Sequence, residues 1–225
     1  MVRSSPCWCL VVPVKRLATA KTRLAPLAGP HRAALALAFA ADTVRAARDC
    51  PPVVLTVAVT DDPVATTALR RLGALVVPDS PGAGLNAALR HGAAVAARVR
   101  PGCAVGALSA DLPALRSTEL ASALAAGGDG SVTYVADSSG RGTTLLLACN
   151  GALLRPRFGP GSAAAHAAWG AVALTPPLPT LRRDVDTPAD LRAAAMLGLG
   201  RHTAAVLAGL TGAGTRGRRP ARRWG

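Results

Sequence analysis

An apolar run passes into a basic segment near the start of the chain, in Leu10-Val-Val-Pro-Val-Lys-Arg-Leu-Ala-Thr-Ala-Lys-Thr-Arg23. The run over residues 10–14 predicts a first β-strand, and the basic segment predicts a loop at its carboxyl end. Open α/β folds bind ligands in such loops. Lys15 and Lys21 are the only lysines among the 26 basic residues. A compact ammonium suits a phosphate group, so the segment indicates either a phosphate site or an ordinary basic turn.

Short apolar runs alternate with alanine-rich segments along the rest of the chain. The runs that predict strands cover residues 10–14, 53–60, 74–78, 103–109, 131–136, 143–149 and 170–175. Helical segments begin between them near Pro30, Pro63, Gly84 and Ser117. This alternation predicts an α/β fold with a mostly parallel central sheet flanked by helices.

The length of 225 residues suits one substantial core. We expect one domain over residues 1–197, followed by an arginine-rich, disordered tail over residues 198–225. The sequence has neither a membrane-span-length apolar run nor a signal-peptide pattern, which predicts a cytoplasmic protein. The five cysteines form no Cys-x-x-Cys pair, so we expect them to be buried small side chains and not disulfide partners or zinc ligands.

The formal charge of +14 raises the possibility of nucleic-acid binding, because phosphate neutralisation dominates that affinity. Six arginines and no acids lie in the tail, so much of the excess charge is there. The chain has only two Phe, one Tyr and three Trp, which leaves little material for stacking bases. Nucleic-acid binding through the tail therefore remains only an alternative of another class.

A glycine-rich segment follows the third predicted strand. Gly82-Ala-Gly-Leu-Asn-Ala87 fits the loose pattern of a dinucleotide-binding turn, but it belongs to the third strand–helix unit and not to the first. Gly84 and Asn86 are candidates for holding a nucleotide through backbone groups and a side-chain amide. A plain glycine-rich helix entry explains the segment equally well.

Three aspartates form the candidate metal site. Asp111 comes just after an apolar strand, and Asp184 and Asp186 are two residues apart, on one face of an extended segment. Asp186 or Thr187 has the alternative role of capping the helix that begins at Pro188. Hard oxygen ligands together with the early lysines are typical of Mg²⁺-bound triphosphate chemistry.

Two further loops are rich in glycine and hydroxyl groups. Ser139-Gly-Arg-Gly-Thr-Thr144 precedes one strand, and Phe158-Gly-Pro-Gly-Ser162 precedes an alanine-rich helix that carries His166. The second loop is the better candidate for an anion site, because glycines let backbone N–H groups approach an oxyanion. A lone histidine on such a helix is more often structural than chemical.

Six of these motifs occur in the order seen in the guanylyltransferases of deazaflavin coenzyme F-420 biosynthesis, which this sequence resembles over residues 10 to about 195. They include Val12-Pro-Val-Lys15, Gly84-Leu-Asn86, Ala110-Asp-Leu-Pro113, Gly142-Thr-Thr144, Phe158-Gly-x-Gly-Ser162-x₃-His166 and Asp184-Val-Asp-Thr187. The resemblance implies a single-domain Rossmann-like nucleotidyltransferase fold, similar to that of the A-type glycosyltransferases. It also implies transfer of GMP from GTP to phosphoenolpyruvate or 2-phospho-L-lactate, with release of pyrophosphate.

The resemblance assigns roles to individual residues. It implies that Asp111, Asp184 and Asp186 hold Mg²⁺, and that a small phosphorylated acid is bound by Thr144, Gly159 and Ser162. From the chemistry, Lys15, Lys21 and Arg23 are the candidates for neutralising the triphosphate. The attacking phosphate is largely dianionic at neutral pH, so the reaction needs no general base.

Two choices of chemistry remain. Phosphoenolpyruvate is the preferred acceptor, because the Ala/Arg/Gly-rich composition resembles that of actinobacterial members of the family, and 2-phospho-L-lactate is the alternative. A molybdenum-cofactor type guanylyltransferase would carry a glycine-rich first loop, whereas residues 13–24 contain no glycine.

Overall fold

A computed structural model describes residues 7–80, 82–127, 131–149 and 154–215. Its centre is a seven-stranded sheet with the order β3-β2-β1-β4-β6-β5-β7. The strands are β1 (Trp8–Pro13), β2 (Val53–Val59), β3 (Leu75–Val77), β4 (Ala104–Leu108), β5 (Thr133–Ala136), β6 (Thr143–Ala148) and β7 (Val172–Ala173). Each predicted strand is therefore present, with ends shifted by up to two residues.

The sheet is mostly parallel, as the sequence predicted. Strand β1 pairs in parallel with β2 and with β4, and β2 pairs in parallel with β3. Only β6 runs against its neighbours among the described strands, because its pairings with β4 and β5 are antiparallel. The carboxyl ends of β1 and β4 consequently meet at one edge, which is where Lys15 and Asp111 leave the sheet.

Helices cover both faces of the sheet. The α-helices are α1 (Ala25–Ala28), α2 (Arg32–Arg48), α3 (Pro63–Arg71), α4 (Leu85–Val99), α5 (Ser117–Ala126), α6 (Ser162–Ala168), α7 (Pro188–Leu197) and α8 (Arg201–Thr215). The buried side chains of α2, α3 and α5 pack on the face of β1 that carries Leu10 and Val12. Helices α4 and α6 pack on the opposite face, which carries Cys9 and Val11.

Helix α4 lies unusually close to the sheet because residue 92 is glycine. A Cβ atom at Gly92 would be 2.4 Å from Cγ1 of Val11 and 2.8 Å from Cγ2 of Val59. A larger residue would therefore push α4 away from β1 and β2. This contact fixes the middle of α4 against β1 and β2.

The carboxyl-terminal region corrects the predicted start of a disordered tail at residue 198. Helix α8 forms instead, and Leu199, Val206 and Leu207 pack against a small core that includes Phe39. The buried carboxylate of Asp42 caps this helix by accepting the backbone N–H groups of His202 and Thr203 at 3.0 and 2.8 Å. The charged remainder of the predicted tail, residues 216–225, lies outside the described residues.

The cysteines also differ from expectation. Cys7 and Cys103 form a disulfide between the amino ends of β1 and β4, at the edge of the sheet opposite the basic loop. Cys9 and Cys50 are buried free thiols, as predicted, and Cys149 is partly exposed. Adjacent parallel strands bring residues 7 and 103 together, which cysteine spacing alone does not reveal. Among the described residues, the helices are too short or too polar to span a bilayer.

Candidate active site

A pocket of about 830 Å³ opens at the carboxyl ends of β1 and β4. This volume lies within the range of small-molecule sites, which is roughly 300–1,000 Å³. Charged side chains of both signs line it, namely Lys15, Lys21, Arg23, Arg141, Asp111, Asp137, Asp184 and Asp186. The pocket therefore collects the three predicted basic residues and the three predicted metal ligands, which come from distant parts of the sequence.

Two residues outside the predicted motifs hold the basic loop in place. Arg32, at the start of α2, donates to the backbone carbonyls of Ala18 and Ala20. Asp62 caps α3 and also accepts the backbone N–H of Leu17 at 2.9 Å. Both contacts hold the backbone of the loop, so they restrict the positions of its basic side chains.

Lys21 has the most constrained position in this loop. Its φ and ψ angles are 53° and 42°, and it is the only non-glycine residue with a positive φ in the described part of the chain. This left-handed conformation is unfavourable for an ordinary L-residue and is found at functional sites when the surroundings enforce it. Lys21 Nζ lies 2.5 Å from Asp111 Oδ2 and 2.6 Å from Asp186 Oδ1.

The electrostatics of these ion pairs are consistent on both sides. Burial opposes the charged form of Lys21, but Asp111 and Asp186 outweigh it and raise the pKa of its ammonium. Burial likewise opposes ionisation of Asp186, yet Lys21 and then Arg23 hold the pKa of its carboxyl below the usual range. The ion pair therefore stays charged at neutral pH.

Asp184 differs from Asp111 and Asp186 because no lysine or arginine in the described part of the chain forms an ion pair with it. Burial, followed by the negative charges of Asp111, Asp137 and Asp186, raises the pKa of Asp184 to about 7. The neighbouring carboxylates therefore make the electrostatic potential at Asp184 negative. Such a potential favours binding of a further cation.

The donor chemistry of the pocket fits Mg²⁺, which prefers carboxylate and phosphate oxygens. As they stand, the carboxylates do not surround one point, and no group of three His, Cys, Asp or Glu side chains in the described ranges is arranged to hold an ion. The Lys21 ammonium lies between Asp111 and Asp186 instead. A cation shared by these two carboxylates would therefore have to displace Lys21.

Helix capping does not occupy Asp186. Thr187 is the N-cap of α7, and its hydroxyl forms a capping box with Asp190. The backbone N–H of Asp186 donates to Asp190 as well, at 3.2 Å. Of the two capping alternatives left by the sequence, Thr187 is the correct one, which leaves the Asp186 carboxylate in the pocket.

Asp137 organises the turn between β5 and β6. Its carboxylate accepts the backbone N–H groups of Ser139, Arg141 and Gly142 at 2.9–3.0 Å. A Cβ atom at Gly142 would lie 2.4 Å from Asp137 Oδ2, so glycine is required for this close approach. Asp137 lies just before the predicted glycine-rich motif, residues 139–144, and was not among the predicted site residues.

Of the three residues predicted to bind the phosphorylated acid, two line the pocket and one does not. Gly159 and Ser162 line the pocket, whereas the side chain of Thr144 is 1% exposed and donates to the Val135 carbonyl at 3.4 Å. The neighbouring Thr143 lines the pocket in its place. Because successive side chains of a strand point to opposite faces, the choice between two adjacent threonines depends on the register of β6, which the motif did not specify.

The predicted nucleotide-binding pair, Gly84 and Asn86, lies beside the pocket. Gly84 is the N-cap of α4, with a φ of 88°, but neither Gly84 nor Asn86 lines the pocket. The Asn86 amide is engaged by the backbone of Phe158, with which it exchanges two hydrogen bonds of 3.0 and 2.8 Å. Leu85 and Leu89 of the same helix line the pocket instead.

His166 is structural, as the sequence analysis favoured. Its ring is fully buried, Nε2 accepts the backbone N–H of Arg157 at 3.0 Å, and Nδ1 lies 2.9 Å from the Thr143 hydroxyl. Burial, with a smaller effect from Arg157, lowers the pKa of His166 to about 4. The ring is therefore neutral at pH 7, and both of its nitrogens are already engaged.

Known proteins match this chain over nearly its whole length. The family described as "Guanylyl transferase CofC like" matches residues 8–216. A phosphoenolpyruvate guanylyltransferase from Thermomonospora curvata is 58% identical over 89% of this chain and 89% of its own length. Proteins of the same name from Geodermatophilus obscurus and Streptomyces coelicolor are 56% and 54% identical, over 90% and 92% of this chain and 94% and 99% of their own lengths.

Solved structures support the fold. The crystal structure of 4-diphosphocytidyl-2C-methyl-D-erythritol synthase superposes with a TM-score of 0.60 at 16% identity, covering 85% of this chain and 99% of that protein. A nucleotidyl transferase from Methanothermobacter superposes with a TM-score of 0.56 at 15% identity, covering 86% and 98%. At such low identity the likeness concerns the fold alone, and it confirms the predicted nucleotidyltransferase architecture.

Proposed function

This chain belongs to the CofC-like guanylyl transferases, and we propose that it transfers GMP from GTP to phosphoenolpyruvate, giving enolpyruvyl-diphospho-guanosine and pyrophosphate. The observation that carries the proposal is the single pocket in which Lys15, Lys21 and Arg23 face Asp111, Asp184 and Asp186. Guanylyl transfer from a triphosphate needs this combination of cations and hard oxygen ligands. We assign the reaction to coenzyme F-420 biosynthesis, which the resemblance implies, and to the cytoplasm.

The bonds change in one displacement. An oxygen of the acceptor phosphate forms a bond to the α-phosphorus of GTP, and the bond from this phosphorus to the β-phosphate oxygen breaks, so that pyrophosphate leaves with the electron pair. Lys15, Lys21 and Arg23 lie in the pocket where they neutralise the triphosphate. Positioning and charge stabilisation dominate the catalysis of such transfers.

A general base is not required, and the described pocket offers no histidine for that role. The second pKa of a phosphate ester is about 6, so the acceptor is mostly dianionic at neutral pH. His166 is the histidine nearest to the acceptor loop, which comprises residues 158–162. Both of its ring nitrogens are engaged and its pKa is about 4. The nucleophile therefore enters the site already deprotonated.

Asp111, Asp184 and Asp186 are the residues we assign to Mg²⁺. When bound, Mg²⁺ would offset the charge of the phosphates and orient them for attack. The negative charge around Asp184 supports this assignment. Lys21, which bridges Asp111 and Asp186, lies in the same pocket and is assigned to the triphosphate.

Phosphoenolpyruvate is favoured over 2-phospho-L-lactate because the relatives at 54–58% identity are named for phosphoenolpyruvate. We assign the binding of its phosphate and carboxylate to the loop that contains Gly159 and Ser162, with Thr143 beside it. Thr144 is assigned only a supporting role, because its side chain faces away from the pocket.

The test is pyrophosphate release from GTP in the presence of Mg²⁺ with phosphoenolpyruvate, with 2-phospho-L-lactate, or with no acceptor. The proposal expects release that depends on an acceptor, and a higher kcat/KM for phosphoenolpyruvate. Release with 2-phospho-L-lactate alone would replace the acceptor while keeping the reaction class. Absence of acceptor-dependent release from both would contradict the proposed function.

A further inference from the structure

The side-chain amide of Asn86 holds the backbone of Phe158 with two hydrogen bonds. Its Nδ2 donates to the Phe158 carbonyl at 3.0 Å, and its Oδ1 accepts the Phe158 N–H at 2.8 Å, although 72 residues separate the two. The orientation of the amide is unambiguous, because a flipped amide would set donor against donor and acceptor against acceptor. Asn86 thus pairs with one residue of the loop as a neighbouring strand would.

The two ends of this contact belong to different halves of the pocket. Asn86 lies in the first turn of α4, next to Leu85, which lines the pocket. The close approach of Gly92 to Val11 fixes α4 against β1, which leads into the basic loop. Phe158 begins the acceptor loop, defined as residues 158–162, whose Gly159 and Ser162 also line the pocket.

The side chain of His166 also holds the start of this loop. His166 accepts the backbone N–H of Arg157, and the Phe158 ring packs edge-on against the His166 ring at a centroid distance of 5.4 Å. The loop beyond Phe158 contains two glycines with positive φ, Gly159 at 137° and Gly161 at 72°. Its first residue is therefore anchored firmly, and the part that follows has a flexible backbone.

We propose that Asn86 is a positioning residue that sets the acceptor loop in register with the nucleotide half of the pocket. This inference rests on the proposed function, since it assumes that the acceptor binds at Gly159 and Ser162. Asn86 does not line the pocket, and its two hydrogen bonds to the loop are made with backbone atoms of Phe158. Its removal would free the loop to move, and displacements near 1 Å in reacting groups lower rates by about 100-fold.

The test compares Asn86→Ala with the wild-type chain and with a control on the same helix, Arg98→Ala. Arg98 is exposed and lies near the far end of α4, outside the pocket. We expect Asn86→Ala to raise the KM for phosphoenolpyruvate at least about tenfold and to lower kcat about 10- to 100-fold. The KM for GTP should stay within about twofold of the wild-type value, because the triphosphate ligands are unchanged.

Asn86→Asp provides a second variant of nearly the same size. Its carboxylate keeps an acceptor for the Phe158 N–H but faces the Phe158 carbonyl without a donor. It should therefore show the same selective rise in the KM for phosphoenolpyruvate even if the alanine variant does not fold. The melting temperature of each variant would be measured beside the kinetics.

Two results would overturn the inference. One is a KM for phosphoenolpyruvate within about twofold of wild type in both folded variants. The other is an equal rise in both KM values together with a lower melting temperature, which would indicate a general structural role. Neither result affects the proposed function, which depends on turnover by the wild-type chain and fails only if that chain transfers no GMP.

Discussion

The ammonium of Lys21 lies 2.5 Å from the carboxylate of Asp111, across 90 residues of sequence. The same ammonium is 2.6 Å from Asp186. The two motifs that the sequence offered for phosphate and for metal chemistry therefore meet at one nitrogen atom. The positive charge of Lys21, a residue in a left-handed backbone conformation, therefore lies between two of the pocket's carboxylates.

Lys21→Met should lower kcat/KM by about 100- to 1,000-fold, which is typical for loss of one group that stabilises developing charge. The melting temperature should also fall, because Lys21 and Asp111 are only 13% and 24% exposed and the variant leaves the Asp111 carboxylate without its cationic partner. Lys21→Arg should not restore the rate, since a planar guanidinium does not replace a compact ammonium. Pyrophosphate release and thermal melts measure both properties.

Arg16→Met is the matched control for Lys21, because Arg16 lies in the same loop but does not line the pocket. It should keep at least about half of the wild-type kcat/KM. Full activity of Lys21→Met, or equal losses in the two variants, would remove Lys21 from the mechanism.

Asp111→Asn should lower turnover at least about 1,000-fold, because a bound metal supplies several kcal/mol of charge stabilisation. The fold should persist, since the structural contact of Asp111 is its backbone carbonyl, which accepts the Val185 N–H at 3.1 Å. Isothermal titration should also show weaker Mg²⁺ binding than in the wild-type chain. Asp49→Asn is the control, because Asp49 is exposed and pairs with Arg45 away from the pocket. If Asp111→Asn were fully active, the metal assignment would be wrong.

His166 should make the stability of the protein depend on pH. Burial lowers its pKa from 6.5 to about 4, so between these values the unfolded chain binds more protons than the folded chain. This contribution is fully present above the unfolded pKa and is lost as the pH falls towards the folded value. The slope reaches at most about 1.4 kcal/mol per pH unit.

Urea unfolding of the wild-type chain and of His166→Gln between about pH 7 and about pH 5 measures this effect. The wild-type free energy of unfolding should fall more steeply with decreasing pH than that of the variant, so the difference between them should shrink. Parallel curves for the two proteins would show that His166 does not titrate as inferred.

Removal of residues 216–225 should leave acceptor-dependent pyrophosphate release within about twofold of the full chain. The truncation must follow Thr215, because a cut at residue 198 would remove α8 and leave the buried carboxylate of Asp42 without its partners. The rival nucleic-acid function makes the opposite prediction. It expects no pyrophosphate release from either chain, and loss of salt-sensitive nucleic-acid binding in the truncated chain. Filter binding at two salt concentrations separates the two functions.

Much of the architecture could be predicted because it is written in local patterns. Apolar runs marked all seven strands, and Asp111 and Lys15 follow two of them directly, so the topology of a parallel sheet was enough to bring them together. Helix α8 was missed because its stability comes from a distant cap, Asp42, and from packing on α2, while its own sequence contains three glycines.

The supporting contacts of the site could not be predicted from patterns of this kind. Asn86 resembled a nucleotide ligand because exposed amides often serve that role, but its partner is a backbone 72 residues away. The choice of Thr143 over Thr144 depended on strand register, and the roles of Arg32 and Asp62 depended on where the basic loop folds back. Long-range contacts between side chains and backbone leave no periodic signal in a single sequence.

Isotope labelling of the acceptor phosphate oxygens tests directly whether this phosphate attacks the α-phosphorus of GTP. Phosphoenolpyruvate labelled with ¹⁸O on its phosphate would be incubated with GTP, Mg²⁺ and the wild-type chain, and both products would be analysed by mass spectrometry. If the acceptor phosphate attacks the α-phosphorus in this pocket, all of the label stays in the guanosine-containing product and the pyrophosphate is unlabelled. Label in the pyrophosphate, or the absence of a guanosine product that contains the acceptor, would contradict the account.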